Sequence, residues 1–494
     1  MKKKKEYVSD VITSEVIDTL TRGGNYLIGS EMASGKNYWV RNVLLPYAIA
    51  NDRRTLILSH RTSNKLQQEE YLKEYKWECI HQFRGGLFNT MTYQTFQNQI
   101  KRKDPSLKGY DYIICDEAHY FISDASFNPK TEIAFDFLDR NEMAIKIFMS
   151  GTYQCLEYLP FTRPLEVLKE ANYYNNNVES LNKYDKQETI GAIILDELKK
   201  DKKVLAFHGS KNDMLDYDYG NSAMIHSGNK DNSKDFIQII EECKFDSDVL
   251  NTTKLLTEGV ELKKANVEII VINNVTDLNA FIQAPARVRD NNVKVFYRVS
   301  RRSLLMNLKN VEKQLEYYQE YVRLGSVEFV EEYGHDVIHK RMKAFYLDTI
   351  IDGISGDKHI ELVVSKTGLA CLNWQRDCYT RILEFGFEDT IKEYFPDVPM
   401  YDLEMLQQEE YIRLDVIDNF VDRRIFKEDR EELVNIISNR FGITRSNGSR
   451  KLGMKTINSF FEENNIEYKI ESDVDKSRKS PHYKKTYWIL KATA

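Results

Sequence analysis

Two short stretches carry residue types suited to phosphate chemistry. The first is Ser30-Glu31-Met32-Ala33-Ser34-Gly35-Lys36-Asn37, which follows the apolar run 26–28 and precedes a helical pattern starting near Tyr38. A loop in that setting wraps phosphate oxygens with backbone N–H groups, adds the dipole of the following helix and brings a lysine to the terminal phosphates. Ala33, Ser34, Gly35, Lys36 and Asn37 are the positions expected to hold such a ligand. The second is Asp116-Glu117-Ala118-His119, directly after the apolar run 112–115. A carboxylate at the end of a buried strand can hold Mg2+, and a second one beside it can polarise an attacking water. Asp116 is therefore the expected metal-side residue. Each stretch alone has a plainer reading, a surface loop or an acidic turn. The apolar strand leading straight into the acids argues against the turn.

These residues need strands to position them, and the chain supplies short apolar runs at 26–28, 55–59, 112–115, 145–149, 204–208, 267–272 and 293–297. Each is rich in branched or aromatic residues and is separated from the next by enough chain for a helix, the pattern of parallel sheets covered by helices. The first such region is expected to run to about residue 165 and the second from 166 to 300, with 172–187 as connector. From 301 to about 425 long helical patterns take over, including 310–322 and 328–346. The 494 residues call for three or four domains. With 42% hydrophobic and 30% charged residues, the composition is that of a globular chain. No apolar run is long enough to span a bilayer. The basic start 1–5 is not followed by an apolar signal core, so a cytoplasmic location is expected. The six cysteines form no CxxC pair and the nine histidines do not cluster with them, which argues against zinc.

The remaining boxes bring out a resemblance. The Asp-Glu-Ala-His box resembles that of superfamily 2 DEAH-box helicases, and the other boxes follow in the order of that family. Residues 55–61, ending in Arg61, and 92–96, with Thr92 and Gln94, resemble strand-end contacts to a nucleic-acid backbone. Met149-Ser150-Gly151-Thr152 resembles the box that couples hydrolysis to nucleic-acid binding, which gives Ser150, Thr152 and His119 that role. Thr252 and Thr253, followed by Thr257-Glu258-Gly259-Val260-Glu261-Leu262, resemble the fifth motif; Thr252 and Thr253 would touch nucleic acid, and Glu258 and Gly259 the nucleotide. Gln283-Ala284-Pro285-Ala286-Arg287-Val288-Arg289 resembles the sixth, which supplies Gln283 and the arginine fingers Arg287 and Arg289. An arginine offered from an opposite lobe stabilises charge on a transferring phosphoryl group.

The resemblance covers roughly residues 20–300. It implies two RecA-like lobes with ATP and Mg2+ between them: Lys36 on the β/γ-phosphates, Asp116 on the metal, Glu117 on the water. Four departures stand out: Ala33 where a Gly is usual, Asn37 where a Ser or Thr binds Mg2+, Ala286 for Gly and Asp290 for Arg. They predict slow turnover or loose nucleotide preference. The Arg-Val-Arg spacing, the Met-x-Ser-Gly-Lys loop and the Leu-Ser-x-Arg strand end are closest in style to phage and herpesvirus-type origin-binding helicases.

The whole chain has a net charge of −6, yet 441–494 holds eleven Lys or Arg against six Asp or Glu. A basic end on an acidic chain reads as an appended contact module. Helices over 431–440 and 450–464 followed by strands at 467–470 and 485–490, with a basic tip at 476–485, follow the plan of a winged helix over 426–494. Arg450, Lys451, Lys455, Lys484 and Lys485 are its candidate nucleic-acid contacts; a small packing domain with solvated lysines is the alternative. The expected function is an ATP-driven helicase or translocase with single-stranded DNA between the lobes, serving replication of a phage or mobile element, with duplex origin DNA at the C-terminal module. A defence-associated translocase and an ATP-gated nucleic-acid binder with weak unwinding are the alternatives.

Overall fold

The computed structural model describes residues 6–31, 34–60, 87–128, 130–170, 177–257, 260–263, 265–340, 342–351, 358–406, 420–441, 452–463, 466 and 468–492. The candidate residues Ala33, Arg61, Glu258, Gly259, Arg450 and Lys451 lie outside them.

The first sheet contains β1 (Asn25–Gly29), β2 (Thr55–Ser59), β3 (Phe88–Thr92), β4 (Tyr112–Cys115), β5 (Ile145–Ser150) and β6 (Leu165–Lys169), in the spatial order β3-β2-β4-β5-β1-β6. All its pairs are parallel. Successive side chains of a strand face opposite sides, and the core divides accordingly. Leu27, Leu56, Leu58, Ile113 and Phe148 enter one cluster. Tyr26, Ile28, Ile57, Ile114 and Ile147 enter the other, with Val8, Ile12 and Trp39 from the N-terminal segment and the helix after the phosphate-loop candidate. Both faces are covered, which is why β1, β2, β4 and β5 read as unbroken apolar runs.

The second sheet contains β7 (Val178–Lys183), β8 (Lys203–His208), β9 (Ser222–Ile225), β10 (Val249–Thr252), β11 (Val267–Asn273) and β12 (Val293–Arg298). Its strands run β7-β12-β11-β8-β10-β9. The pairs from β12 through to β9 are parallel. The expectation of two parallel sheets flanked by helices is met. One correction concerns 172–187: β7 falls within it, so this stretch contains a strand as well as connecting chain.

Residues 301–400 carry helices at Arg301–Leu324, Ser326–Lys340, Lys366–Phe385 and Phe387–Lys392. They also hold an antiparallel pair, β13 (Phe345–Ile351) with β14 (Lys358–Val364), where only helix was expected, and 328–346 is accordingly a helix that gives way to a strand. Among the described residues of the pair, Phe345 and Leu362 are buried and Val364 packs against the same core, while Leu347 and Ile360 are exposed. The period-two burial is too short to read from sequence. Close packing shows at Gly368, where a β-carbon would stand 1.9 Å from the Lys343 carbonyl oxygen.

The chain divides into two compact units, and 401–494 belongs to the second. That unit contains helices Lys427–Phe441 and Met454–Glu463 and the antiparallel strands Tyr468–Val474 and Thr486–Ala492. Leu433, Ile437, Ile457, Phe461, Ile470 and Leu490 form its core. Asn458 ties the second helix to the hairpin, donating to the Ile470 carbonyl (2.9 Å) and accepting from the Ile470 N–H (2.8 Å). Among the described residues no helix is long and apolar enough to cross a membrane.

Candidate functional site

Sheet order decides which strand ends meet. β4, β5 and β1 are neighbours, so the residues following them gather at one edge, the usual ligand edge of a parallel α/β sheet. Gly29 pairs with Ser150. The Ser30 N–H donates to the Ser150 carbonyl (3.1 Å), the Ala118 N–H to the Met149 carbonyl (2.8 Å) and the Asp116 N–H to the Leu58 carbonyl (2.9 Å).

The first loop turns at Gly35, whose φ of 87° lies in the left-handed region that glycine adopts without strain. Lys36 starts the following helix, and its Nζ donates to the carbonyls of Ser30 (2.8 Å) and Glu31 (3.0 Å). Burial pulls the Lys36 ammonium below the usual lysine range. Glu117, Asp116 and Glu31 pull the other way, and Arg289, from the second lobe, adds to the downward push. Ser34 is buried, and Asn37 is exposed beside Lys36.

Asp116 is buried, and its Oδ1 accepts from the Glu117 N–H (3.1 Å). Burial first, then the neighbouring Glu117, pushes its carboxyl up to about 7, against the opposing pull of Lys36. Glu117 sits at φ 51°, an uncommon conformation for a non-glycine residue that turns it out of the strand line. Its Oε2 lies 3.5 Å from His119 Nδ1. Asp116 and Glu117 supply hard oxygens next to a lysine, a donor set that fits Mg2+ bound together with phosphate. Behind the acids, Tyr93 donates to the Asp116 carbonyl (3.0 Å) and stacks on Tyr120 (centroids 4.2 Å apart).

The second lobe reaches this edge through Gln283. Its Nε2 donates to Thr152 Oγ1 (3.0 Å) and lies 3.2 Å from His119 Nε2. His119 Nδ1 lies 3.1 Å from Ser150 Oγ, which also accepts from the Thr152 N–H (3.1 Å). Gln283, His119, Ser150 and Thr152 are all buried. With the amide oriented in this way, His119 Nε2 accepts and Nδ1–H faces Ser150 and Glu117. Arg287 is buried and held by the carbonyls of Gln283 (3.4 Å) and Val260 (3.2 Å). Arg289 pairs with Glu261 (3.1 Å), and its buried Nε–H has no acceptor among the described residues.

The other predicted residues separate into groups. Thr92 is buried and caps the helix Tyr93–Lys101 by accepting from the Thr95 N–H (3.2 Å), whereas Gln94 is exposed on that helix. Thr252 is fully buried at the end of β10 and Thr253 is partly exposed. Lys455, Lys484 and Lys485 are exposed and belong to the second unit.

Sequence reasoning missed the end of β8. His208 is buried and its Nε2 meets Asn251 Oδ1 (2.9 Å); Asn251 donates to the Tyr217 carbonyl (3.0 Å), and Arg298 Nε donates to Asn273 Oδ1 (3.1 Å). Burial pushes the His208 imidazole down to about 4. Gly209 and Ser210 then enter a groove of about 530 Å³ whose lining comes from both lobes and from 301–400: Ser126, Ser210, Lys254, Asn274, Asn307 and Lys343 among others. The apolar run 204–207 ending in His-Gly-Ser was the available signal.

No family model matches the chain, and no curated protein matches it in sequence. Among solved structures it is similar to the Mycobacterium smegmatis helicase Lhr bound to ssDNA and AMP-PNP (13% identity, 59% of this chain and 46% of that one, TM-score 0.41). It is also similar to a variant of S. cerevisiae Dbp5 bound to RNA and ADP BeF3 (17%, 57% and 81%, 0.44), and to the Escherichia coli DEAH/RHA helicase HrpB (12%, 60% and 43%, 0.40). The chain thus spans less than half of the Lhr and HrpB chains.

Proposed function

We propose that this chain is an ATP-hydrolysing nucleic-acid translocase of the superfamily 2 helicase type, with its nucleotide between the two lobes. The observation that carries the reading is the Gln283 amide of the second lobe, bonded to Thr152 and beside His119 of the first. That contact brings the Arg287–Arg289 turn to the same edge as Lys36, Asp116 and Glu117.

In this reading Lys36 gives up its carbonyl partners for the terminal phosphates, while Glu117 orients the attacking water. Mg2+, bound with the phosphates, would be held by Asp116 with Asn37 nearby, and would neutralise phosphate charge. Arg289 supplies positive charge from across the gap, and its unpaired Nε–H is a donor reserved for the phosphoryl group. Arg287 stays on its carbonyls until the lobes close. The chain His119–Gln283–Thr152 then carries the state of the carboxylates to the second lobe. The groove holding Lys254 and Lys343, with its amides and hydroxyls, suits the phosphate–sugar backbone of one strand.

The finer reading is a DNA replication helicase that the basic C-terminal unit directs to an origin of a phage or mobile element; its helices and exposed lysines favour a winged-helix contact. An ATP-gated binder with weak unwinding is the second reading, favoured by the exposed Asn37 carboxamide where a hydroxyl is usual. ATPase assays with and without single-stranded DNA, followed by strand displacement, separate the two. Glu117→Gln is expected to bind nucleotide and lose turnover by about 10²-fold or more; full turnover in that variant sinks the mechanism.

A further inference from the structure

A second cavity, of about 440 Å³, lies where the two lobes meet the helices of 301–400. Trp374, Asp377 and Arg381 line it from the helix Lys366–Phe385, spaced three and four residues apart and so on one face. Tyr153, Glu157 and Tyr158 line it from the first lobe, on the turn that follows Thr152. Glu393 comes from the end of the helix Phe387–Lys392. Leu278 closes the cavity from the second lobe, at the start of the helix that ends in Gln283.

Three of the four charged side chains on this wall are carboxylates. Arg381 is taken by Glu393. Asp377 meets Arg376 Nε (3.0 Å) and accepts from the Tyr158 hydroxyl (2.8 Å). Glu157 is exposed and has no cationic partner among the described residues. The wall therefore repels anions and attracts cations. Its carboxylates stand on three separate elements instead of converging, so a compact hard cation, which needs several oxygens at one point, is not the match. Between them lie aromatic surfaces, with Trp374 edge-on to Tyr158 (centroids 5.6 Å apart). Spaced carboxylates with rings between them suit ammonium groups joined by methylene segments.

We propose that this cavity binds an aliphatic polyamine, with ammonium groups at Glu157 and Asp377 and methylenes along Trp374 and Tyr153. Its place in the fold gives occupancy a consequence. Tyr153 follows Thr152 directly, and its ring covers the end of β1, where a β-carbon at Gly29 would stand 2.7 Å from it. Leu278 and Gln283 share one helix. A ligand touching both Tyr153 and Leu278 holds the lobes in the arrangement that joins Thr152 to Gln283. Binding stands without the motor reading; the effect on turnover rests on it.

The test is calorimetric titration of the full chain with spermidine, free of nucleotide and nucleic acid, beside Mg2+ at the same ionic strength. Spermidine is expected to bind one-to-one and about tenfold or more tighter than Mg2+. Glu157→Gln weakens it about fivefold to tenfold, and Glu157→Lys, which places an ammonium on the wall, abolishes it. Trp374→Leu weakens it about threefold, and Trp374→Phe retains it. Equal affinity in the unaltered chain and Glu157→Lys overturns the proposal. So does displacement by Mg2+ at equal charge concentration, or the absence of saturable binding. In a separate ATPase assay spermidine is expected to lower KM for ATP about fivefold in the unaltered chain and to leave it in Glu157→Lys. Binding with an unmoved KM rejects the link to Gln283, and binding to a chain without turnover rejects the motor and keeps the site.

Discussion

Replacing Gln283 with Ala tests the contact on which the functional reading depends. Its amide donates to Thr152 Oγ1 at 3.0 Å and sits 3.2 Å from His119 Nε2, with all three side chains buried. A net hydrogen bond is worth about 0.5–1.5 kcal/mol, and a buried polar atom left without a partner costs about 1–3 kcal/mol. Losing the amide removes both contacts and strands acceptors on His119 and Thr152. Water entering the gap recovers part of that loss, leaving about 2–4 kcal/mol. If the contact acts when the lobes close for hydrolysis, kcat falls by about thirtyfold to about a thousandfold. Affinity for nucleotide, set by Lys36 and its loop, changes far less. A double-mutant cycle makes the measurement specific. Thr152→Val removes the accepting hydroxyl at nearly constant volume, and the double variant is expected to lose little more kcat than Gln283→Ala alone, because the two share one interaction. Additive losses, or a Gln283→Ala chain with undiminished kcat, would refute the coupling.

The other expectations involve separate parts of the chain. Asn37→Thr supplies the hydroxyl usual for Mg2+ at this position; steady-state assays should show kcat rising by roughly tenfold, about 1.4 kcal/mol, at a lower Mg2+ requirement, and an unchanged rate counts against Asn37 as the cause of slow turnover. His208, held down to about 4 by burial, stays neutral in the fold while the unfolded chain takes up a proton near 6.5. More protons are bound unfolded within that window, so stability is fully present above about 6.5 and lost as pH falls toward 4, by about 3 kcal/mol from this group; denaturant melts should show the slope, and His208→Gln should flatten it. Replacing Lys484 and Lys485 together by Ala is expected to lower the dependence of log K for duplex DNA on log salt by about 1.8, if each neutralises one phosphate. An identical slope removes them from the interface.

What could be read in the sequence followed burial. β1, β2, β4, β5, β8, β11 and β12 were visible because apolar residues fill them, and the acids and hydroxyls at their ends were visible by type. β10 was hidden although every residue of it is buried. Asn251 interrupts its apolar run, and Asn251 is there because it meets His208 and the Tyr217 carbonyl. β6 and β9 were hidden for a different reason: each lies at a sheet edge where burial is only partial, with Glu166 and Val167 exposed in β6 and Ser222, Ala223 and Met224 half-buried in β9. β13 and β14 bury too little of their length to show a period.

Spatial order is a different kind of information. β1, β4 and β5 occur in that sequence order, yet β5 lies between the other two. Only that insertion makes Ser150 a neighbour of both Ser30 and the Asp116–His119 turn, through the Ser30 N–H to Ser150 bond and the Ala118 N–H to Met149 bond. Had β5 added at the outer edge beyond β3, the same boxes would stand in the same order along the chain. Two strands would then separate Ser150 from Asp116, and Thr152 would be out of reach of a Gln283 that also touches His119. Box order in sequence therefore suggests which residues do the chemistry, while the crossover that inserts β5 is what gives them a common edge on which to do it.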